Sequence, residues 1–222
     1  MASEQENNFS EQFSRAEHFV SENRKSLLVI GGTIVALVLL YFSYQKFILA
    51  PRETEAASQM FMAERYFESD SLDKAINGDG NFPGFLTIVD EYGGTKSGNL
   101  AKYYLGISYL KKGSYEQAIE SLEDYSTNDE LLAPVALGAI GDAYSELNQP
   151  EKAAGFYAKA AAKNQNNLTT PIHLMKLGMT YETLNDNKKA LDAYNKIKKE
   201  YAESMEARDI DKYIARAEAK LN

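Results

Sequence analysis

The segment LGISYLKKGSYEQAIESL, residues 105–122, decides the fold. Within it, Gly106 is followed by Tyr109 three positions later and by Ala118 twelve positions later. The same frame returns as Ala63, Tyr66 and Ala75, as Gly141, Tyr144 and Ala153, and as Gly178, Tyr181 and Ala190. In the last three copies a bulky apolar residue precedes the small one (Leu105, Ile140, Leu177), and a large residue stands sixteen positions after it (Leu122, Tyr157, Tyr194). Self-similarity at a period of a few tens of residues is the mark of a stacked architecture, in which each unit buries its apolar face on the next.

These positions resemble the tetratricopeptide repeat, a helix–turn–helix unit of about 34 residues in which small residues let two helices touch while an aromatic fills the gap beside them. The copies lie 43, 35 and 37 residues apart, so each keeps the frame with inserted loop. The long first interval contains NGDGNFPG, Asn77 to Gly84, a cluster of turn formers that should interrupt the second helix of the first copy before FLTIVDEY resumes it. Pro134, Pro150 and Pro171 fall where new helices should begin. Gly113 predicts a helix stop, with Ser114 and Gln117 forming a capping box for the next helix. From Ser204 to Leu221 a last helix is expected, with Ile210, Ile214, Ala217 and Leu221 on one side, to close the stack.

Upstream lies LLVIGGTIVALVLLYFSY, Leu27 to Tyr44, without a charge. As a helix it would be roughly 27 Å long, close to the thickness of a bilayer's hydrocarbon core. A mostly polar leader with five glutamates precedes it, unlike a cleaved signal peptide, and the absence of cysteine leaves no site for a lipid anchor. Arg15, Arg24 and Lys25 on the amino-terminal side outnumber Lys46 and Arg52 beyond it, favouring a short cytoplasmic tail. The expected organisation is a tail over residues 1–26 with a short amphipathic helix (Phe9, Phe13, Ala16, Val20), a transmembrane helix over 27–49, and a repeat domain over 51–222. Gly32 and Ala36 form a small-xxx-small pair suited to packing against another membrane helix. The fold class is therefore all-α: tail, single span, a tetratricopeptide-repeat solenoid of about four repeats and a C-terminal capping helix.

A formal charge of −8 and the lack of a basic stripe argue against nucleic acid as a partner. The chain has two histidines, His18 in the tail and His173, which reads as a helix-surface residue. With no thiol, Gly-rich phosphate loop or metal-spaced cluster, no enzyme, cofactor or metal is expected. The GDGN of Gly78 to Asn81 reads as a turn, because a calcium site needs further carboxylates. A repeat solenoid binds protein segments on the face made by the first helix of each pair. The slots three before and one after each small residue hold Met60 and Glu64, Tyr103 and Ile107, Gly138 and Asp142, Met175 and Met179. They offer no cations for a carboxylate clamp. Tyr103, Ile107, Met175 and Met179 point instead to an apolar protein-binding groove, unless the C-terminal helix folds back over them.

The order of acidic tail, HFVSENRKSLLVIGGTIVALVLLYFSYQKF and repeats resembles the YfgM-like ancillary subunits of the bacterial SecYEG translocon. The stretch FLTIVDEYGGTKSGNLAKYYLGISYLKKGSYEQAI is also similar to repeats of envelope proteins of cell division and outer-membrane assembly. The first resemblance implies an inner-membrane protein with a cytoplasmic amino terminus and a periplasmic repeat domain. Its implied partners are the lipid bilayer, SecYEG, a PpiD-like membrane-anchored periplasmic chaperone and exported client polypeptides. The implied role is to help newly exported proteins leave the channel and reach chaperones. The second would make the chain a scaffold or adaptor of another envelope complex.

Overall fold

The computed structural model describes Arg15 and residues 17–221, in two units, Met1–Arg52 and Glu53–Asn222. In the first unit, α1 (Arg24–Tyr44) leads into a π-helical turn, Gln45–Leu49. No residue of α1 is buried, and Leu28, Val29, Leu40 and Phe42 are all exposed. Leaving such a rod in water costs about 25 cal/mol for each Å² of apolar surface. This helix is long and apolar enough to cross a membrane. Apart from the backbone of its own helix and its chain neighbours, nothing lies within 4 Å of the place a Gly32 Cβ would occupy, and Ala36 is exposed, so the small-residue face is open. Val20 is exposed as well, while Phe9, Phe13 and Ala16 lie outside the described residues.

The second unit is built from α2 (Ala50–Glu68), α3 (Leu72–Asn77), α4 (Phe85–Tyr92), α5 (Lys96–Lys112), α6 (Tyr115–Glu123), α7 (Leu132–Glu146), α8 (Pro150–Ala162), α9 (Thr170–Thr183), α10 (Asn187–Glu200) and α11 (Ile210–Ala219). α5 packs on α6, α7 on α8 and α9 on α10, while α6 on α7, α8 on α9 and α10 on α11 join one pair to the next. This is the tetratricopeptide-repeat solenoid, and the repeated residues explain it. Ala75, Ala118, Ala153 and Ala190 are all 0% exposed, at the points where the second helices press on their neighbours. A Cβ added to Gly106 would stand 2.5 Å from Leu122 Cγ, and one on Gly141 would stand 2.6 Å from Tyr157 Cε1. The sixteenth-position side chain therefore occupies the space the glycine vacates, which sets how closely each pair approaches.

The turns inside the repeats are equally regular. Asp70, Gly113, Asn148 and Asn185, each seven residues after the small residue, have φ of 58, 78, 55 and 58°. The next amide in each copy donates to the carbonyl of the repeat tyrosine: Ser71 to Tyr66 (2.8 Å), and Ser114, Gln149 and Asp186 to Tyr109, Tyr144 and Tyr181 (2.9 Å). This is the Schellman closure of a helix, for which Gly, Asn and Asp tolerate the left-handed position. Ser114 does stand at the start of α6, but its side chain makes no capping bond. At Asp186, with a similar backbone, the longer carboxylate reaches the Lys189 amide (3.2 Å).

The first copy is interrupted between α3 and α4. Asp79 accepts the amides of Asn81 (2.9 Å) and Phe82 (2.8 Å) and the hydroxyl of Tyr66 (2.7 Å), so its carboxylate is consumed in closing the loop. After the loop, Phe85 is fully buried and stacks on Tyr104 at 5.3 Å. A Cβ on Gly84 would stand 2.2 Å from the Ile76 carbonyl oxygen and 2.4 Å from the Gly78 nitrogen, both backbone atoms. Gly84→Ala should therefore lower the unfolding free energy by about 2 kcal/mol, read as a lower urea midpoint at unchanged slope.

At the other end, the capping helix is shorter than its periodicity suggests. It starts at Ile210 and ends at Ala219, leaving Leu221 50% exposed. Before it, three-residue turns link Ser204 to Tyr201, Arg208 to Met205 and Ile210 to Ala207. They reverse the chain so that Ile210, Ile214 and Ala217 reach the core around Tyr194 and Ile197. A helix running straight from Ser204 would lack that reversal.

Candidate protein-binding face

The first helices α5, α7 and α9 carry the residues on which a bound segment would rest, and the structure separates the four apolar ones. Tyr103 and Ile107 are half-buried and pack into the cluster of Ala136, Ala139 and Ile140 on α7. The Tyr103 ring also meets Tyr104 at 5.7 Å and Tyr125 at 5.4 Å. Burial, then the neighbouring tyrosines, push its hydroxyl above the usual tyrosine range. Met175 packs against the cluster that contains Tyr194, Ile210 and Ile214, so the C-terminal core covers it in part. Met179 alone of the four is openly exposed, at 47%. Tyr103, Ile107 and Met175 are thus partly drawn into contacts between repeats, and Met179 is the most exposed of the four.

Met179 lines a cleft of about 540 Å³ together with Ser145, Asn148, Thr183, Arg216 and Lys220. The capping helix brings Arg216 to this cleft, and Lys220 follows at its end, but both cations are spent on Glu182. Arg216 donates twice to that carboxylate (2.9 and 2.6 Å) and Lys220 once (3.1 Å), while the buried Tyr194 hydroxyl donates at 2.7 Å. Burial acts to raise the Glu182 carboxyl, but the bonds from Arg216, Tyr194 and Lys220 outweigh it and hold the pKa at about 2.

One repeat earlier the device recurs. Tyr157 donates to Asp142 at 2.7 Å, and Lys176 of the following repeat grips the same carboxylate at 2.7 and 2.8 Å. Burial, then Asp142, push the Tyr157 hydroxyl well above its ordinary value. Between the first two copies, Lys111 and Lys112 pair with Asp70 and Asp73. These clasps hold the stack at fixed spacing. For the clasps at Asp142 and Glu182 the sequence signal is the tyrosine at the sixteenth position with an acid on the first helix of its own copy, which the apolar pattern conceals.

His173 is not a surface residue. It is 5% exposed, because Gly138 on α7 leaves room for its ring. Among the described residues no three His, Asp or Glu side chains gather as metal ligands would.

Residues 103–167 match one tetratricopeptide repeat family profile and residues 174–204 another. No match is found among curated proteins. Among solved structures, the chain is similar to the nearly identical TPR-like repeats of a Podosopora anserina kinesin light chain and to a single-substitution form of them. In both cases the TM-score is 0.57 at 16% identity, over 76% of this chain and 87 or 88% of the other. At that identity the likeness is one of fold. Repeats of this type make protein-interaction modules.

Proposed function

We propose that the chain is a non-enzymatic protein-binding module held at the bacterial inner membrane. Residues 27–49 form its single anchor, residues 1–26 a cytoplasmic tail, and residues 51–222 a periplasmic repeat domain. The observation that carries this reading is the wholly uncovered apolar helix α1 ahead of a repeat solenoid. The excess of Arg and Lys before the span supports the orientation. The order of acidic tail, anchor and repeats supports a place beside SecYEG, with a PpiD-like chaperone and exported clients as partners. Confinement near the channel exit raises the effective concentration of the binding face to the millimolar range for a short tether, so weak contacts suffice.

The test is purification of the full chain in mild detergent with mass spectrometry of what accompanies it. Recovery of channel subunits supports this role. Their reproducible absence beside a division or outer-membrane assembly complex would replace it with that of an adaptor.

On the binding face, the open cleft at Met179 is the point of contact, since the cations around it are already neutralised. An apolar segment there would gain thioether contacts and displace poorly held water. Met179→Lys should weaken client capture about tenfold, or about 1.4 kcal/mol, while leaving the unfolding midpoint unchanged. Ile107→Lys should act otherwise. It places a charge between α5 and α7 and should cost about 2–3 kcal/mol of stability, visible by thermal unfolding whether or not client is present.

A further inference from the structure

We infer that the junction of α7 with α9 is an acid-sensitive joint, held shut by the neutral imidazole of His173. Both ring nitrogens are buried and neither has a hydrogen-bond partner. A native protein rarely leaves such atoms orphaned, because each forfeits its hydration. The ring stands where Gly138 has no side chain: a Cβ there would lie 2.2 Å from Cε1 and 2.6 Å from Nδ1.

The preceding junction shows that this position does not require histidine. There the large residue is Tyr103, three before Gly106, and the matching small residue is Ala136, five before Gly141, in one cluster. At the next junction large and small change sides, with Gly138 three before Gly141 and His173 five before Gly178. A phenylalanine or leucine would fill the gap without two buried, unpartnered nitrogens.

No neighbouring acid is free to hold a charged ring. Asp142 on α7 is bound by Tyr157 of α8 and by Lys176, one turn along α9. The titratable group that α10 brings to this region, Tyr194, is committed to Glu182. Protonation therefore leaves an imidazolium beside Lys176 with no acceptor, and the ring must leave its pocket to be hydrated. Burial, then the Lys176 charge, lower the His173 pKa to about 4, against the opposite pull of Asp142. A folded value below the ordinary 6.5 means that the joint is fully stable above pH 6.5 and loses stability as pH falls toward 4. Between pH 7.5 and 4.5 the closing equilibrium should fall roughly 70-fold. Met175 and Met179 ride on α9, so opening displaces them, but the joint stands whether or not that face binds clients.

The experiment uses the full chain in nanodiscs. Because His18 is the other histidine, comparison with His18→Gln assigns the His173 ring resonances in a pH titration. Hydrogen exchange of α7, α8 and α9 is then measured at pH 7.5 and 4.5, corrected for intrinsic rates, in the wild type and in His173→Phe. A ring titrating near pH 4, with acid-dependent loss of protection in the wild type that the Phe variant lacks, supports the joint. A ring titrating near 6.5, or protection that is pH-independent or changes equally in both proteins, overturns it. The wild-type titration and exchange decide the matter even if the Phe variant fails to fold.

Discussion

Gly178→Ala is expected to destabilise the repeat domain by about 3 kcal/mol, although alanine is the better helix former by about 1 kcal/mol. The new methyl would stand 2.3, 2.7 and 2.8 Å from Cε1, Cζ and Cδ1 of Tyr194. That ring cannot retreat, being 0% exposed with its hydroxyl held by Glu182. α9 and α10 must therefore part, and the C-terminal core around Ile197 and Ile214 loosens with them. Chemical denaturation of the full chain in detergent gives the size of the loss. Gly155→Ala is the control: it sits on α8 with nothing within 4 Å of its would-be Cβ, and should be neutral or more stable by up to about 1 kcal/mol. Equal behaviour of the two variants would contradict the packing role of Gly178.

Glu182→Ala is expected to cost about 2–3 kcal/mol and to free the capping helix from α9. The substitution leaves the buried Tyr194 hydroxyl without its acceptor, and Arg216 and Lys220 lose their common anion. Those two side chains are 43 and 47% exposed, so water compensates them and most of the loss lies at Tyr194. Proteolysis near residues 202–209 should speed up accordingly. Glu182 also sets an acid limit distinct from that of His173. Its pKa is held at about 2, below the ordinary 4.5, so its contribution is complete above pH 4.5 and disappears as pH falls toward 2. The wild type should thus lose stability in two stages, of which Glu182→Ala removes the lower and His173→Phe the upper.

Much of the architecture is legible without coordinates, for local reasons. Gly106, Gly141 and Gly178 mark where two helices touch, the alanines twelve residues on mark the crowded faces, and the turn formers of Asn77 to Gly84 announce the break between α3 and α4. A charge-free run of 18 residues identifies α1. The left-handed turns at Asp70, Asn148 and Asn185 carry a weaker sequence signal than that at Gly113, since Asn and Asp serve many surface roles. The capping helix starts later than its composition predicts, because Ser204 to Asp209 have helical composition but fold as successive turns.

The binding face was the least legible part. Tyr103, Ile107, Met175 and Met179 share equivalent slots in the repeat, yet three are drawn into contacts between repeats and one remains open. Likewise His173 has the sequence surroundings of a surface residue, and Arg216 and Lys220 lie 34 and 38 residues from Glu182.

The sequence by itself determined the helical repeat, its register and the apolar segment, because each depends on residue spacing within a few turns of chain. The tertiary structure alone decided which slots are buried, which carboxylates are neutralised and where a histidine is left without a hydrogen-bond partner. Those outcomes depend on which side chains meet across a junction, and the volume left by one glycine is visible only once the neighbouring helix is in place.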